Sequence, residues 1–273
     1  MTNDAEARFR RLVARASLLD VLLAECLEVG QPSEIAWDDF VAVATEHLSR
    51  WARLETRAAL SLLLDPTTAP ASELLLRGQL EALAHLSWIS EGSGAAGQRQ
   101  RALCYELGRL KRYRDGWLKM SPEAVSHLPN NTAEQLEHDI ASLQQLHLEA
   151  GCRCSGRNDG AVEAQLRSLA KILKQPAIYE LWATSSFVAH QFGYDRIAKP
   201  AGKGLTSASE ATLGDRVKLL SWVLLVYGYM GQAALQLTNP NQQVRFASGV
   251  RRYLGSPSFK RATREIGPDS VYS

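Results

Sequence analysis

Apolar side chains recur at intervals of three and four along almost the whole of this chain, and that regularity fixes the fold class. Such spacing gathers side chains onto one face of a 3.6-residue helix. A half-buried strand needs strict alternation, and no alternating run of strand length is present. Phe9, Leu12, Val13, Ala16, Leu19, Leu23, Cys26 and Leu27 line a first helix over about 4–29, ended near Gly30 and Pro32. Phe40, Ala44, Leu48, Trp51, Leu54, Ala58 and Leu62 line a second, capped by Asp38 and stopped before Pro66, and the two are expected to pair as an antiparallel hairpin. Further helices are expected over about 72–91, 97–120, onward from a capping box at Asn131 to Gln135, over 161–174, and from Pro176 to about 191. Ser207 and Glu210 are expected to open another through Leu219–Leu237, and Asn239 before Pro240 a last one ending near Leu254. The expectation is an all-α fold: a multi-helix bundle of about eight or nine helices, one domain over 1–255, with 256–273 a flexible C-terminal tail.

With 45% hydrophobic residues in 273, the chain has enough apolar surface to offset the entropy of ordering it. A net charge of +2 supplies no general attraction to polyanions. The charge is nevertheless uneven, because Arg99 to Lys119 holds seven basic residues against Glu106 and Asp115, while Ser121 to Gly151 holds acids and no Lys or Arg. Arg245 to Arg264 holds six basic residues and no acid, and the acidic stretch is expected to lie against one of the two basic ones. Acidic residues stand at the start, where a secretory leader needs positive charge, and Cys26 and Cys104 fall within helical apolar patterns, so the thiols read as reduced and the setting as cytoplasmic. Leu219–Leu237 is long enough to span a bilayer, but Ser221, Tyr227, Tyr229, Gln232 and Gln236 interrupt it; it reads as a central core helix, and no membrane partner is expected.

Several short motifs fail on context. Gly92-Ser93-Gly94-Ala95-Ala96-Gly97 spells a dinucleotide fingerprint, yet follows a helix where that chemistry needs a strand. Ser168-Leu169-Ala170-Lys171 lacks the partner motifs of a serine nucleophile. His138, His147, Cys152 and Cys154 could gather round zinc, but the C-x-x-C knuckle is missing and 151–160 reads as an exposed loop, so neither metal nor cofactor is assigned.

The third helix carries more. Arg77, Glu81 and His85 recur every four residues and share a stripe with Trp88, among leucines and alanines that imply burial, so Arg77 and Glu81 are expected to be ion-paired. After Pro176, Tyr179, Ser186 and His190 stand within about 40 degrees of one helical face. If the stripes face each other, Arg77, Glu81, His85, Tyr179, Ser186 and His190 enclose a polar pocket with two imidazoles, fit for anion binding, acid-base chemistry or fixing helix register.

These positions also carry a family resemblance. Leu75-Leu76-Arg77 with Glu81-Ala82, and Tyr179 with Ser186 and His190, look like signature positions of an uncharacterised all-helical family of bacterial proteins, which implies a helical fold and no activity. More distantly the chain resembles the HEPN superfamily of helical ribonucleases and nucleotide-binding proteins of toxin and phage-defence systems. Seven residues separate Arg77 from His85 here, more than that superfamily's nuclease signature has.

Two functional expectations result. The first is a binding or assembly module whose late apolar helix contributes to a homodimer. The second is a phosphodiesterase or ribonuclease-like effector, with His85 or His190 as acid or base, Arg77 stabilising phosphoryl charge and Glu81 orienting its neighbours. RNA or a nucleotide would be guided by Arg109, Lys111, Arg112 and Arg114, interleaved with Tyr113 and Trp117.

Overall fold

The computed structural model describes residues 2–29, 39–119, 132–152, 159–176, 178–183 and 211–264. Within them lie α1 (Thr2–Glu28), α2 (Phe40–Leu62), a 3-10 turn (Ala69–Ala71), α3 (Ser72–Ser90), α4 (Gly94–Trp117), α5 (Thr132–Glu149), α6 (Asp159–Ile172), α7 (Leu213–Thr238), α8 (Pro240–Leu254) and α9 (Pro257–Arg264), with residues 178–183 also helical. The described residues contain no strand, so the all-α expectation holds, and the number of helices is close to the eight or nine foreseen.

The apolar stretch Leu219–Leu237, within α7, is the axis of the bundle. α7 packs on α3, α2, α8 and α1, with Leu220, Val223, Leu224, Val226 and Met230 fully buried. Among the described residues no helix is long and apolar enough to cross a membrane. Most of this apolar surface is consumed inside the chain. α8 returns along α7 because two glycines let it approach: a Cβ on Gly231 would lie 2.3 Å from Phe246 Cε1, and one on Gly228 3.1 Å from Val250.

Two buried ionic clusters tie α7 to the first helices. Asp20 on α1, 3% exposed, accepts from Arg53 Nε at 2.8 Å, Arg57 Nε at 2.7 Å and the Tyr227 hydroxyl at 2.9 Å. A carboxylate so surrounded repays its own desolvation, and its pKa is held below the ordinary value despite burial. At the other end Arg216, 2% exposed, pairs with Glu6 and reaches the carbonyl oxygens of Leu63 and Leu64.

Several local expectations are corrected. The cap of α2 is Asp39, whose side chain accepts from the Ala42 amide at 3.0 Å; Asp38 lies outside the described residues. α7 is opened by Thr212 and Asp215, which exchange the two bonds of a capping box, whereas Ser207 and Glu210 fall outside the described residues. α2 packs chiefly on α3, and α1 on α8 and α7, so the first two helices touch without forming an isolated hairpin. α4 begins at Gly94, three residues early, which turns four of the six residues of the glycine-rich fingerprint into helix. The chain after Gly255 is not simply a tail: α9 buries Phe259 against Tyr253 at 5.5 Å between ring centroids. The acidic and basic stretches do meet, since α5 packs along α4 and Glu137 lies 3.9 Å from Arg114.

Candidate functional site

The α3 stripe divides as it descends the helix. Arg77 Nε donates to Glu81 Oε1 at 2.9 Å, the expected ion pair, but the two side chains are 30% and 37% exposed and not enclosed. They face the short helix at 178–183, from which Trp182 Nε1 donates to the same Glu81 oxygen at 3.4 Å. Tyr179 lies 6.1 Å from the Trp182 ring, while its hydroxyl accepts from Arg167 at 2.6 Å and donates to Glu163 at 3.0 Å on α6.

His85 goes elsewhere. Each step of four residues on a helix drifts by about 40 degrees, so two steps carry His85 from the open side of α3 to the side covered by α4. It is 6% exposed and 4.9 Å from the Tyr105 ring, and burial lowers its pKa to about 4, leaving a neutral imidazole. The sequence's pocket is thus met in part: Arg77, Glu81 and the segment of Tyr179 come together, His85 departs into the core, and Ser186 and His190 lie outside the described residues.

Glu55 on α2, a residue outside both stripes, joins this region. It packs on Gly78, where a Cβ would fall 1.9 Å from its Oε1, and burial, with the negative Glu81 adding, raises its carboxyl to about 7. The signal in the sequence is Gly78 itself, a glycine inside a leucine-rich helix, which marks a close approach.

A second concave feature is built from other helices. A cleft of about 600 Å³ opens between α1, the start of α7 and α9. Arg8, Arg11, Arg15, Lys218 and Arg261 line it against a single carboxylate, Asp215, and Phe9, Leu12 and Val217 form its floor. Asp215 is occupied in capping α7, with Thr212 donating to it from both hydroxyl and amide. Arg8 leans on exposed Asp4 at 3.5 Å, and the other four cations have no partner among the described residues. The first turn of α7, from Thr212 to Asp215, also borders this cleft, and a helix N-terminus carries partial positive charge.

The chain matches no known protein family, characterised protein or solved structure.

The basic face of α4 is weaker than its composition implies. Glu106, 2% exposed, takes Arg109 Nε at 2.8 Å and His47 Nδ1 at 2.9 Å, while Arg114 is held by Asp115 at 2.9 Å. Lys111 and Arg112 have no partner among the described residues. Of the cysteines, Cys26 is the buried free thiol expected, whereas Cys104 is disulfide-bonded, contrary to expectation. α5 packs along α4 and brings His147 and Cys152 close to Cys104. Cys154 lies outside the described residues.

Proposed function

We propose that this protein is a helical binding module whose ligand is a multiply charged anion of nucleotide size, seated in the cleft between α1, α7 and α9. One observation carries the reading: five cationic side chains converge on a concave volume with one carboxylate, and that carboxylate is committed to a helix cap. Cations held near one another repel, and an anion that relieves this repulsion gains from each of them; the apolar floor suits the face of a base or other ring. A volume of about 600 Å³ fits a mononucleotide or dinucleotide better than a bare phosphate.

The test is calorimetric titration of the full chain with a nucleoside triphosphate, a dinucleotide and pyrophosphate at low and moderate salt. Binding that weakens as salt rises, and that falls at least tenfold in Arg11→Glu and Lys218→Glu with the fold unchanged by circular dichroism, supports the cleft. Binding indifferent to both reversals, or none with any of the three probes, overturns it.

A hydrolytic reading is favoured by Glu55. A carboxyl that titrates near neutrality, beside Glu81 and Arg77, is matched to general acid-base work on a phosphodiester, in which Arg77 would steady the phosphoryl oxygens. Turnover of a cyclic or linear dinucleotide that is lost in Glu55→Gln and Arg77→Ala would support this reading over simple binding.

A further inference from the structure

We propose that Cys104, His147 and Cys152 form a tetrahedral zinc site that fills when the disulfide at Cys104 is reduced, making this corner of the bundle a redox-controlled metal centre. The three donors come from two helices and a turn: Cys104 from the middle of α4, His147 from the last turn of α5, and Cys152 just past its end. One ligand atom from each lies within 4.8 Å of the others, with Cys104 and His147 buried and Cys152 half-buried.

The spacing is that of a coordination polyhedron. Zinc bonds sulfur at about 2.3 Å and imidazole nitrogen at about 2.0–2.1 Å, so at the tetrahedral angle the sulfur and nitrogen stand about 3.5 Å apart. Cys104 Sγ lies 3.6 Å from His147 Nε2. Such a distance is long for a strong hydrogen bond and apt for two ligands sharing an ion.

Cys152 owes its place to a specific helix ending. Gly151 adopts φ +63°, its amide donates to Leu148 O at 3.0 Å, and the Cys152 amide donates to His147 O at 3.1 Å, a Schellman termination that folds the chain back over its last turn. Cys152 is thereby returned to the level of His147. Gln100 on α4 donates to Ala150 O at 2.6 Å and its carbonyl receives the Cys152 thiol at 3.8 Å, which fixes the turn to the helix that carries Cys104. Ligands held by a scaffold before the ion arrives lose little freedom on binding it. The three leave a fourth tetrahedral position for water or a further donor, and the thiolate and imidazole character selects zinc over magnesium or calcium.

The chemistry balances with a phosphine as reductant. Phosphine, disulfide and one water give phosphine oxide and two thiols; the S–S bond breaks, phosphorus is oxidised, and each sulfur takes one proton. Zinc then displaces the thiol protons of Cys104 and Cys152, so uptake releases acid. The oxidised and metal-bound forms exclude each other, because a sulfur within a disulfide has no thiolate to offer.

The test uses the full chain in two states, untreated and reduced with a water-soluble phosphine, each equilibrated with zinc and desalted. Elemental analysis is expected to find about one zinc per reduced chain and far less on the oxidised chain, with retention falling at least tenfold in Cys152→Ser and His147→Ala and unchanged in Cys26→Ser. Cobalt(II) added to the reduced wild-type chain is expected to give the charge-transfer band of thiolate ligation and the visible bands of tetrahedral geometry, which answers the question even if a variant fails to fold. Zinc retention equal in oxidised and reduced chains, or an octahedral cobalt spectrum without the thiolate band, overturns the site.

Discussion

Tyr227 donates its hydroxyl to Oδ1 of Asp20 at 2.9 Å, joining the central helix α7 to α1 across 207 positions of sequence. The same carboxylate holds Arg53 and Arg57 of α2, so one side chain clamps three helices. Removing it would leave a tyrosine hydroxyl and the half-buried Arg53 without their acceptor. Asp20→Ala is therefore expected to cost about 3–5 kcal/mol, and Tyr227→Phe, which removes one neutral donor, about 1 kcal/mol. Urea denaturation measures both, and near-equal effects would contradict the clamp.

Buried titrating groups set a pH dependence with two opposed parts. His85 is lowered from 6.5 to about 4, so between those values the unfolded chain binds its proton and the fold does not, and stability falls as pH drops through that window. Glu55 is raised from 4.5 to about 7, so the fold holds a proton that the unfolded chain has released, and stability falls as pH rises through that window. The two slopes largely cancel between about 4.5 and 6.5. Glu55→Gln abolishes one of them. Relative to wild type it is expected to be more stable at pH 8 than at pH 4.5 by about 1–3 kcal/mol, because the carboxyl raised to about 7 is partly open to solvent. Denaturation curves at the two pH values decide this.

How much of this was legible in the sequence depends on how far each group reaches. The helices follow from spacing of three and four, a property of neighbours, and α3 begins at Ser72 as the pattern requires. The Arg77–Glu81 pair lies one turn apart on one helix and is equally local. The fate of His85 was not legible, because which neighbour covers each side of α3 is decided by tertiary packing and not by α3 itself. Nor was the cleft, whose cations come from positions 8–15, 218 and 261, or the joining of Cys104 to His147 across 43 positions. Composition exposed neither, since a net charge of +2 averages away a local excess.

Two glycines in helices should respond with opposite signs to the same change. Alanine favours a helix over glycine by about 0.5–1 kcal/mol. At Gly116 nothing lies within 4 Å of the added methyl, so Gly116→Ala is expected to raise stability by about that amount. At Gly231 the methyl would fall 2.3 Å from Phe246, which is fully buried and cannot withdraw, so overlap wins and Gly231→Ala is expected to cost about 1–3 kcal/mol. Phe246→Leu in the same chain should recover part of the loss.

The short helix α9 links stability to the cleft. Phe259 is 6% exposed and lies 5.5 Å from the ring of Tyr253, whose hydroxyl donates to Leu12 O at 2.7 Å, so α9 is anchored to α1 through α8. Eight residues form too short a helix to persist alone in water, and the buried ring is what retains it. Phe259→Ala is expected to cost about 3 kcal/mol and to release α9 before the rest of the bundle unfolds. Arg261 rides on α9 and lines the cleft, so the same change should weaken anion binding at temperatures where circular dichroism still reports the other helices intact. Tyr253→Phe serves as the comparison, because it removes the hydrogen bond to Leu12 while keeping the ring contact that holds α9. If Phe259→Ala lowered stability and left anion affinity unchanged, α9 would support the fold without contributing to the cleft.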